Sequence, residues 1–305
     1  MTMITKQFAN DVGNNLFKKF FMSDGKEYSW DWPSIYTEEN TDQLTVDTIS
    51  YAGLTGAVAT GELVNYSVEG LKELGKISIT QTKYTKGSQL SEELVKSDRY
   101  IKFVPQLGKA VGRSLRYTAD LQAAAFLNHA FNTAYHVDPV ASSGVALCQS
   151  HTLKSGDTVL NELTQASLDF DTFWAAVTHG MVNLKTQSGM PITAEPIALI
   201  YHPNNEPMVQ KIWNATAEPD GSIANPNTLK TYLSGVKRIP CLHLTTNTNW
   251  FVLYQGAKDD ILREWFWKEQ HRSFPAEGNM GLNIFGFQMF GDGVVDFIHI
   301  AGNQG

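Results

Sequence analysis

Cys148 and His151, three residues apart in "GVALCQSHTLKSG" (144–156), are the side chains of this sequence best placed to do chemistry. A thiolate beside an imidazole is a nucleophile with its base, the working pair of a cysteine-dependent hydrolase. The same two side chains are half of a zinc site, and Cys241-x-His243 in "PCLHL" offers the other half. Zinc takes Cys and His in tetrahedral sets, most often from tight turns. Each reading needs more than spacing. The nucleophile needs its base in contact, an oxyanion hole and a feature that lowers the thiol pKa. No Gly-x-Ser-x-Gly elbow occurs, and no helix start lies directly behind Cys148. "PCLHL" reads as a strand, on which Cys241 and His243 share one face without the turn geometry common to zinc sites. The third reading is a small buried thiol beside a hydrogen-bonded turn histidine.

Other chemistries find less support. "GDGVVDF" has glycines but no lysine and no strand–loop–helix setting for a phosphate cradle. "AEPDGSIANPN", which holds Asp220, lacks the ligand ladder of a calcium loop. "HRSF" and "KRIP" are isolated basic pairs. No cofactor is implied.

The elements that must position these residues belong to a globular chain of 305 residues, 42% hydrophobic and 18% charged. The net charge of −7 argues against a surface built to grip phosphate backbones. Two cysteines make no disulfide framework and suggest a reducing compartment. No 18-residue apolar run is present to span a membrane, and "MTMITKQFAND" has no apolar signal core.

Residues 1–50 are aromatic without a sustained period, and Phe17, Phe20, Phe21, Trp30 and Trp32 need cover from the chain's own body or from a neighbour. Residues 51–75 are glycine-rich and poor in large apolar side chains. With the strand-like "KISITQTKYTKGSQLS" they suggest a long hairpin or loop projecting from the body. Ser91 reads as the cap of a short helix to about Lys96. Pro105 stands where a long helix should begin, and Leu107, Val111, Leu115, Thr118, Leu121 and Ala125 recur on one face of a helix running to about Ala134. Leu168 to Met181 form an amphipathic helix starting near Asp169 or Asp171, and Ile197–Tyr201 a buried strand. A short helix follows from about Asn205. Residues 217–235 are turn-rich, and "VKRIPCLHL", "NWFVLYQ", "ILREWFWKEQHRSF" and "NIFGFQMFGDGVVDFIHIAG" read as strands.

An ordered series of motifs adds a resemblance. "YTKGSQLSEELVKSDRYIKF", "LRYTADLQAAAFLNHAFN" and the run from "GVALCQSHTLKSGDTVLNEL" to "GMPITAEPIALIYHPN" resemble the major capsid proteins of tailed phages, most of all the phage Mu-like major head family. In that pattern Ser150-His151 with Leu153 is a hairpin signature and Cys148 a variable apolar position. The resemblance implies an α+β Hong Kong 97 type capsid fold. Its parts would be an N-terminal arm (1–50), an extended loop (51–85), a peripheral domain (86–189) on a spine helix (105–134), an axial domain (190–265) with 217–235 as its axial loop, and return strands (266–305). It implies no enzyme but a shell protein assembling with itself into pentamers and hexamers of an icosahedral virion. Double-stranded DNA would be enclosed without sequence-specific binding, with scaffold, portal and decoration proteins as partners and assembly in a bacterial cytoplasm. Assembly contacts are expected at Phe17, Phe20, Trp30, Trp32, Glu62, Tyr66, Lys72 and Asp220. An encapsulin-like compartment shell is the alternative on the same fold. The loop lysines Lys72 and Lys76 match no complete cross-linking motif and are read as solvated.

Overall fold

A computed structural model of the chain describes residues 15, 17–21, 29–57, 59, 60, 68–91, 93, 100–133, 145–215, 227, 229–275 and 282–305. Among these are two four-stranded sheets, two hairpins and a long helix. The strands are β1 (Thr37–Asn40), β2 (Thr45–Ala52), β3 (Lys72–Thr80), β4 (Thr82–Leu90), β5 (Ser150–Thr152), β6 (Thr158–Leu160), β7 (Pro196–Tyr201), β8 (Lys237–Pro240), β9 (Trp250–Tyr254), β10 (Ile261–Pro275), β11 (Leu282–Val294) and β12 (Ile300–Asn303). The helices are α1 (Tyr100–Ala123), α2 (Ala125–Asn128), α3 (Phe170–Val182), α4 (Glu206–Asn214), α5 (Lys230–Leu233) and α6 (Ala257–Asp260).

The first sheet has the order β1-β10-β11-β4 and the second β12-β9-β7-β8. Both are open and both mix directions: β1 is parallel to β10 and β8 to β7, while the remaining pairs are antiparallel. β2 and β3 make a separate hairpin, as do β5 and β6. β3 and β4 are nearly one strand, interrupted only at Gln81. Its first part pairs with β2 and its second with β11.

The second sheet explains the unbroken apolar runs of "PIALIY" and "WFVLY", because both of its faces are covered. Ala198, Ile200, Phe251 and Leu253 join α2 and the 30–36 segment in one core, and Leu199, Tyr201, Trp250, Val252 and Tyr254 join α3 and α4 in another. α3 begins as its sequence suggests. The Asp169 carboxylate accepts from Thr172 N at 2.7 Å, and Asp169 N donates back to Thr172 Oγ1 at 2.9 Å. Gly180 lets this helix meet the sheet, since a Cβ there would stand 2.4 Å from the Tyr254 ring.

α1 packs on one face of the first sheet. Gln288 Nε2 donates to Leu115 O at 2.9 Å, and Arg263 Nη2 to Ala119 O at 3.0 Å. Two expectations about this helix are corrected. It begins at Tyr100, so Pro105 lies inside it, where the missing N–H forfeits one helical bond instead of none. It ends at Ala123 instead of running to Ala134, and a turn at Ala124 leads into α2. The reason is the all-round apolar "AAAFL" stretch. The turn lets Ala123, Ala124, Phe126, Leu127 and Ala130 all reach one core, which no single straight face allows. Further corrections are local. "PCLHL" is a strand only up to Pro240, and Cys241–Leu244 turn away from it. "LKTYL" near the end of the expected 217–235 loop supplies the helical turn α5. "VKRIPCLHL", "NWFVLYQ" and "ILREWFWKEQHRSF", read together as one mixed sheet, divide between two, because β10 belongs to the first and β8 and β9 to the second.

Candidate assembly surfaces

Cys148 lies just before β5, and its setting decides the catalytic question. Its N–H donates to Ala130 O at 2.7 Å, and its Sγ packs so closely on the second sheet that a Cβ on Gly302 would come within 2.7 Å of it. Burial, with the Glu162 charge adding to it, pushes the thiol far above its ordinary range. The nucleophilic form is suppressed. His151 is fully buried, donates from Nε2 to Leu147 O at 3.0 Å and stacks flat on Phe297 at 3.6 Å. Asn161 completes the arrangement. Its amide N donates to Leu147, Phe297 and Ile300 carbonyls, and its Oδ1 accepts from Gln149 N at 2.8 Å. The β5–β6 hairpin is thereby bolted to the C-terminal strand. Burial likewise pushes Cys241 up to about 12. His243 Nε2 meets Ser29 Oγ at 2.8 Å. Among the described residues no three His, Cys, Asp or Glu side chains gather into a group able to hold a metal ion.

The aromatic arm is covered by its own chain. Phe17 is 0%, Trp30 3% and Trp32 1% exposed, while Phe20 is half-buried with Lys109 above its ring. Phe17 and Phe21 stack on each other and pack on α1. Arg116 Nη2 donates to Phe21 O at 2.9 Å. The rest of the arm converges on one carboxylate that sequence reasoning passed over. Asp120 accepts from Ser29 N (2.8 Å), Ser29 Oγ (2.7 Å) and Trp32 Nε1 (2.7 Å), and its backbone carbonyl accepts from Trp30 Nε1 (3.0 Å). The Arg263 guanidinium lies 3.9 Å over the Trp32 ring and forks onto Asp292 with two 2.6 Å bonds. Phe17, Trp30 and Trp32 are thus covered by the chain's own body. Their apolar area is already spent inside the chain. An acid on the apolar side of a helix, and an arginine among aromatics in "LREWFW", were the available signals.

What stays open is the β2–β3 hairpin and its continuation. Leu44, Ile49, Tyr51, Leu54, Val68 and Leu71 are exposed, Val68 by 92%. Lys76 Nζ pairs with Asp47 at 2.6 Å, and that bond, helped by Ser78, holds the Asp47 carboxyl below the usual range. At its base Ile79 is buried over the first sheet, where Cβ atoms on Gly291 and Gly293 would fall 2.8 and 2.6 Å from its side chain. Lys72 is exposed at the start of β3, opposite Ala52. A Cβ on Gly53 would stand 3.9 Å from Ser188 Oγ. Glu62, Tyr66 and Asp220 lie outside the described residues, as does most of the expected helix after Ser91.

The family described as phage capsid protein matches residues 73–298. The chain belongs to the phage capsid protein family. Solved structures agree on the fold of this capsid family member. It is similar to the virus-like particle from Pyrococcus furiosus (9% identity, TM-score 0.52, covering 95% of this chain and 96% of that one). It is similar to the capsid of the cyanophage P-SCSP1u (13%, 0.54, 92% and 89%) and to the capsid of an empty GTA particle (11%, 0.54, 89% and 88%). A search of curated proteins gives no match to this capsid protein's sequence. The mixed α+β architecture with open sheets is consistent with the Hong Kong 97 type capsid fold in general. The family match is to phage capsid proteins at large, a coarser kinship than the phage Mu-like one read from the motifs.

Proposed function

We propose that this protein is the major structural subunit of an icosahedral phage head, assembling with itself into pentamers and hexamers around double-stranded DNA. The observation that carries the reading is the family match over 73–298. The exposed apolar hairpin supports it, because a surface of that kind is kept where a neighbour covers it. Many modest contacts between copies then add up, since each copy already held in a shell meets the next at high effective concentration. The division into arm (1–50), extended loop (51–85), peripheral domain (86–189) with its spine helix, axial domain (190–265) and return strands (266–305) belongs to this proposal, with α1 as the spine. So do the Mu-like kinship, scaffold, portal and decoration partners, and assembly in a bacterial cytoplasm. Negative-stain imaging of the purified protein tests it. Uniform closed shells, rings or sheets are expected, and a monodisperse monomer at high concentration overturns it.

A second reading is a compartment shell that encloses no genome, suggested by the likeness to a virus-like particle. Particles isolated from the source cells separate the two by their DNA content.

A further inference from the structure

The first sheet carries a row of alternating charge that ends at a hole. On the face under α1, Glu38 of β1 stands in register with Arg263 of β10, and Arg263 with Asp292 of β11. The antiparallel register that pairs Phe290 with Thr82 then brings Thr80 towards Asp292. There the row opens into a cavity of about 160 Å³, between the hairpin base and the turn that joins α1 to α2.

Its wall mixes three kinds of surface. Asp292 supplies a carboxylate, Thr80, Thr82 and Tyr84 supply hydroxyls, and Gln122 an amide. Phe290 and Ala125 form the apolar part, and the Tyr84 and Phe290 rings lie 5.0 Å apart, tilted by 31°. The Tyr84 and Thr82 hydroxyls bond to each other. The Thr80 hydroxyl and the Gln122 amide have no hydrogen-bond partner among the described residues.

The charge of the row is unbalanced. Arg263 forks onto Asp292, but Glu38 adds a second carboxylate, whose Oε2 accepts from the neutral Trp265 indole at 2.8 Å. The excess reaches the cavity. Burial, then the Asp292 charge, raises the Tyr84 hydroxyl above its usual range, and the opposing pull of Arg263 is the weaker of the two charges. Burial raises the Asp292 carboxyl against the pull of Arg263, so a further positive charge beside it is stabilising.

The wall also selects the kind of cation. A hard divalent ion takes a shell of many oxygens, usually with several carboxylates, and this wall has one carboxylate, already forked by a guanidinium. A primary ammonium brings three donors, which the Asp292 carboxylate, the threonine hydroxyls and the Gln122 amide oxygen can accept. Ring faces attract it as well. Its methylene stem needs the apolar wall that Phe290 and Ala125 provide. Size agrees, since a cavity of about 150 Å³ holds one benzene, and a butyl chain with its ammonium is of that order.

We propose that this cavity binds a primary ammonium group on a short alkyl chain, its charge beside Asp292 and its stem along Phe290 and Ala125. Two sources offer that chemistry: a free diamine and a lysine side chain of a second copy. Either one ties the base of the β2–β3 hairpin, through Thr80 and Thr82, to the end of α1, through Gln122. The site goes beyond the shell reading and does not depend on it.

Calorimetric titration with 1,4-diaminobutane at constant ionic strength tests it, on the unassembled full chain and on assembled particles. The unassembled chain should bind one diamine saturably, and uncharged 1,4-butanediol at least tenfold more weakly. A125M fills the cavity from α2 and keeps both members of the Arg263–Asp292 pair. It should lower diamine affinity at least tenfold, and T80V/Q122L at least fivefold, each with an unchanged circular dichroism spectrum. Particles that bind the diamine, and that A125M still forms, identify a free amine as the occupant. Particles that exclude it, with an A125M chain that no longer assembles, identify the neighbour's lysine. No saturable binding to the unassembled chain, equal binding of the diol, or wild-type affinity in both variants overturns the site. A chain that binds the diamine but never assembles supports the site and overturns the shell reading alone.

Discussion

Asp120 shows how much one side chain holds. It gathers the indole of Trp32 and both donors of Ser29, so removing it leaves the buried Trp32 indole N–H without a partner. D120A is expected to cost roughly 2–4 kcal/mol of stability. It should also free residues 29–36, read as faster cleavage near Trp30 in limited proteolysis. Cys148 supplies the opposite kind of prediction. Its thiol is packed and protonated, so alkylating reagents should label it only after denaturation, and C148A should leave particle formation unchanged. The motif pattern placed His151 in a hairpin and Cys148 at an apolar position just before it, and the structure has them there. The pattern did not reveal Asn161 as the residue that locks the hairpin down, because a buried amide looks like any loop asparagine until its carbonyl partners, over 130 residues away, are brought near.

Among the elements, the hairpin base is where space is tightest. Ile79 lies across Gly291 and Gly293 of β11, and a methyl on Gly293 would collide with the Ile79 side chain at 2.6 Å. G293A should loosen the β2–β3 hairpin, seen as accelerated amide exchange in β3, with a cost of about 1–3 kcal/mol. I79A in the same chain should recover part of that loss, because it empties the contested volume. Element types were largely legible. Period-two alternation marked β3 and β11, continuous apolar runs marked β7 and β9, and Asp169 marked the start of α3. What escaped was sheet membership. β9 and β10 are separated by a six-residue connection yet belong to different sheets, and no local pattern distinguishes a strand that turns back from one that crosses over. The helix start also misled, since Pro105 favours a first position without enforcing it.

For the molecule as a whole, two chain crossings between the sheets meet at one acidic junction. α6 leads from β9 to β10, residues 295–299 lead from β11 to β12, and the His299 Nδ1–Asp260 contact of 2.7 Å joins them. Burial, then the Asp260 charge, raises Asp296 to about 6. Burial raises Asp260, and the Asp260 bond raises His299 against its own burial. All three shifts have one sign: the folded junction holds protons that the unfolded chain releases. Asp296 therefore favours folding least once the pH exceeds about 6, and the His299 contribution, complete below 6.5, is lost as pH rises through its elevated pKa. D296N should be more stable than wild type above pH 7 by on the order of 2–3 kcal/mol, and the gap should vanish near pH 4. Urea titrations at both pH values measure it. The near-continuity of β3 and β4 has a mechanical meaning. A pull along the hairpin arrives at β11 lengthwise, loading nine matched residue pairs together, so the joint resists as a lap seam does and does not peel open one bond at a time.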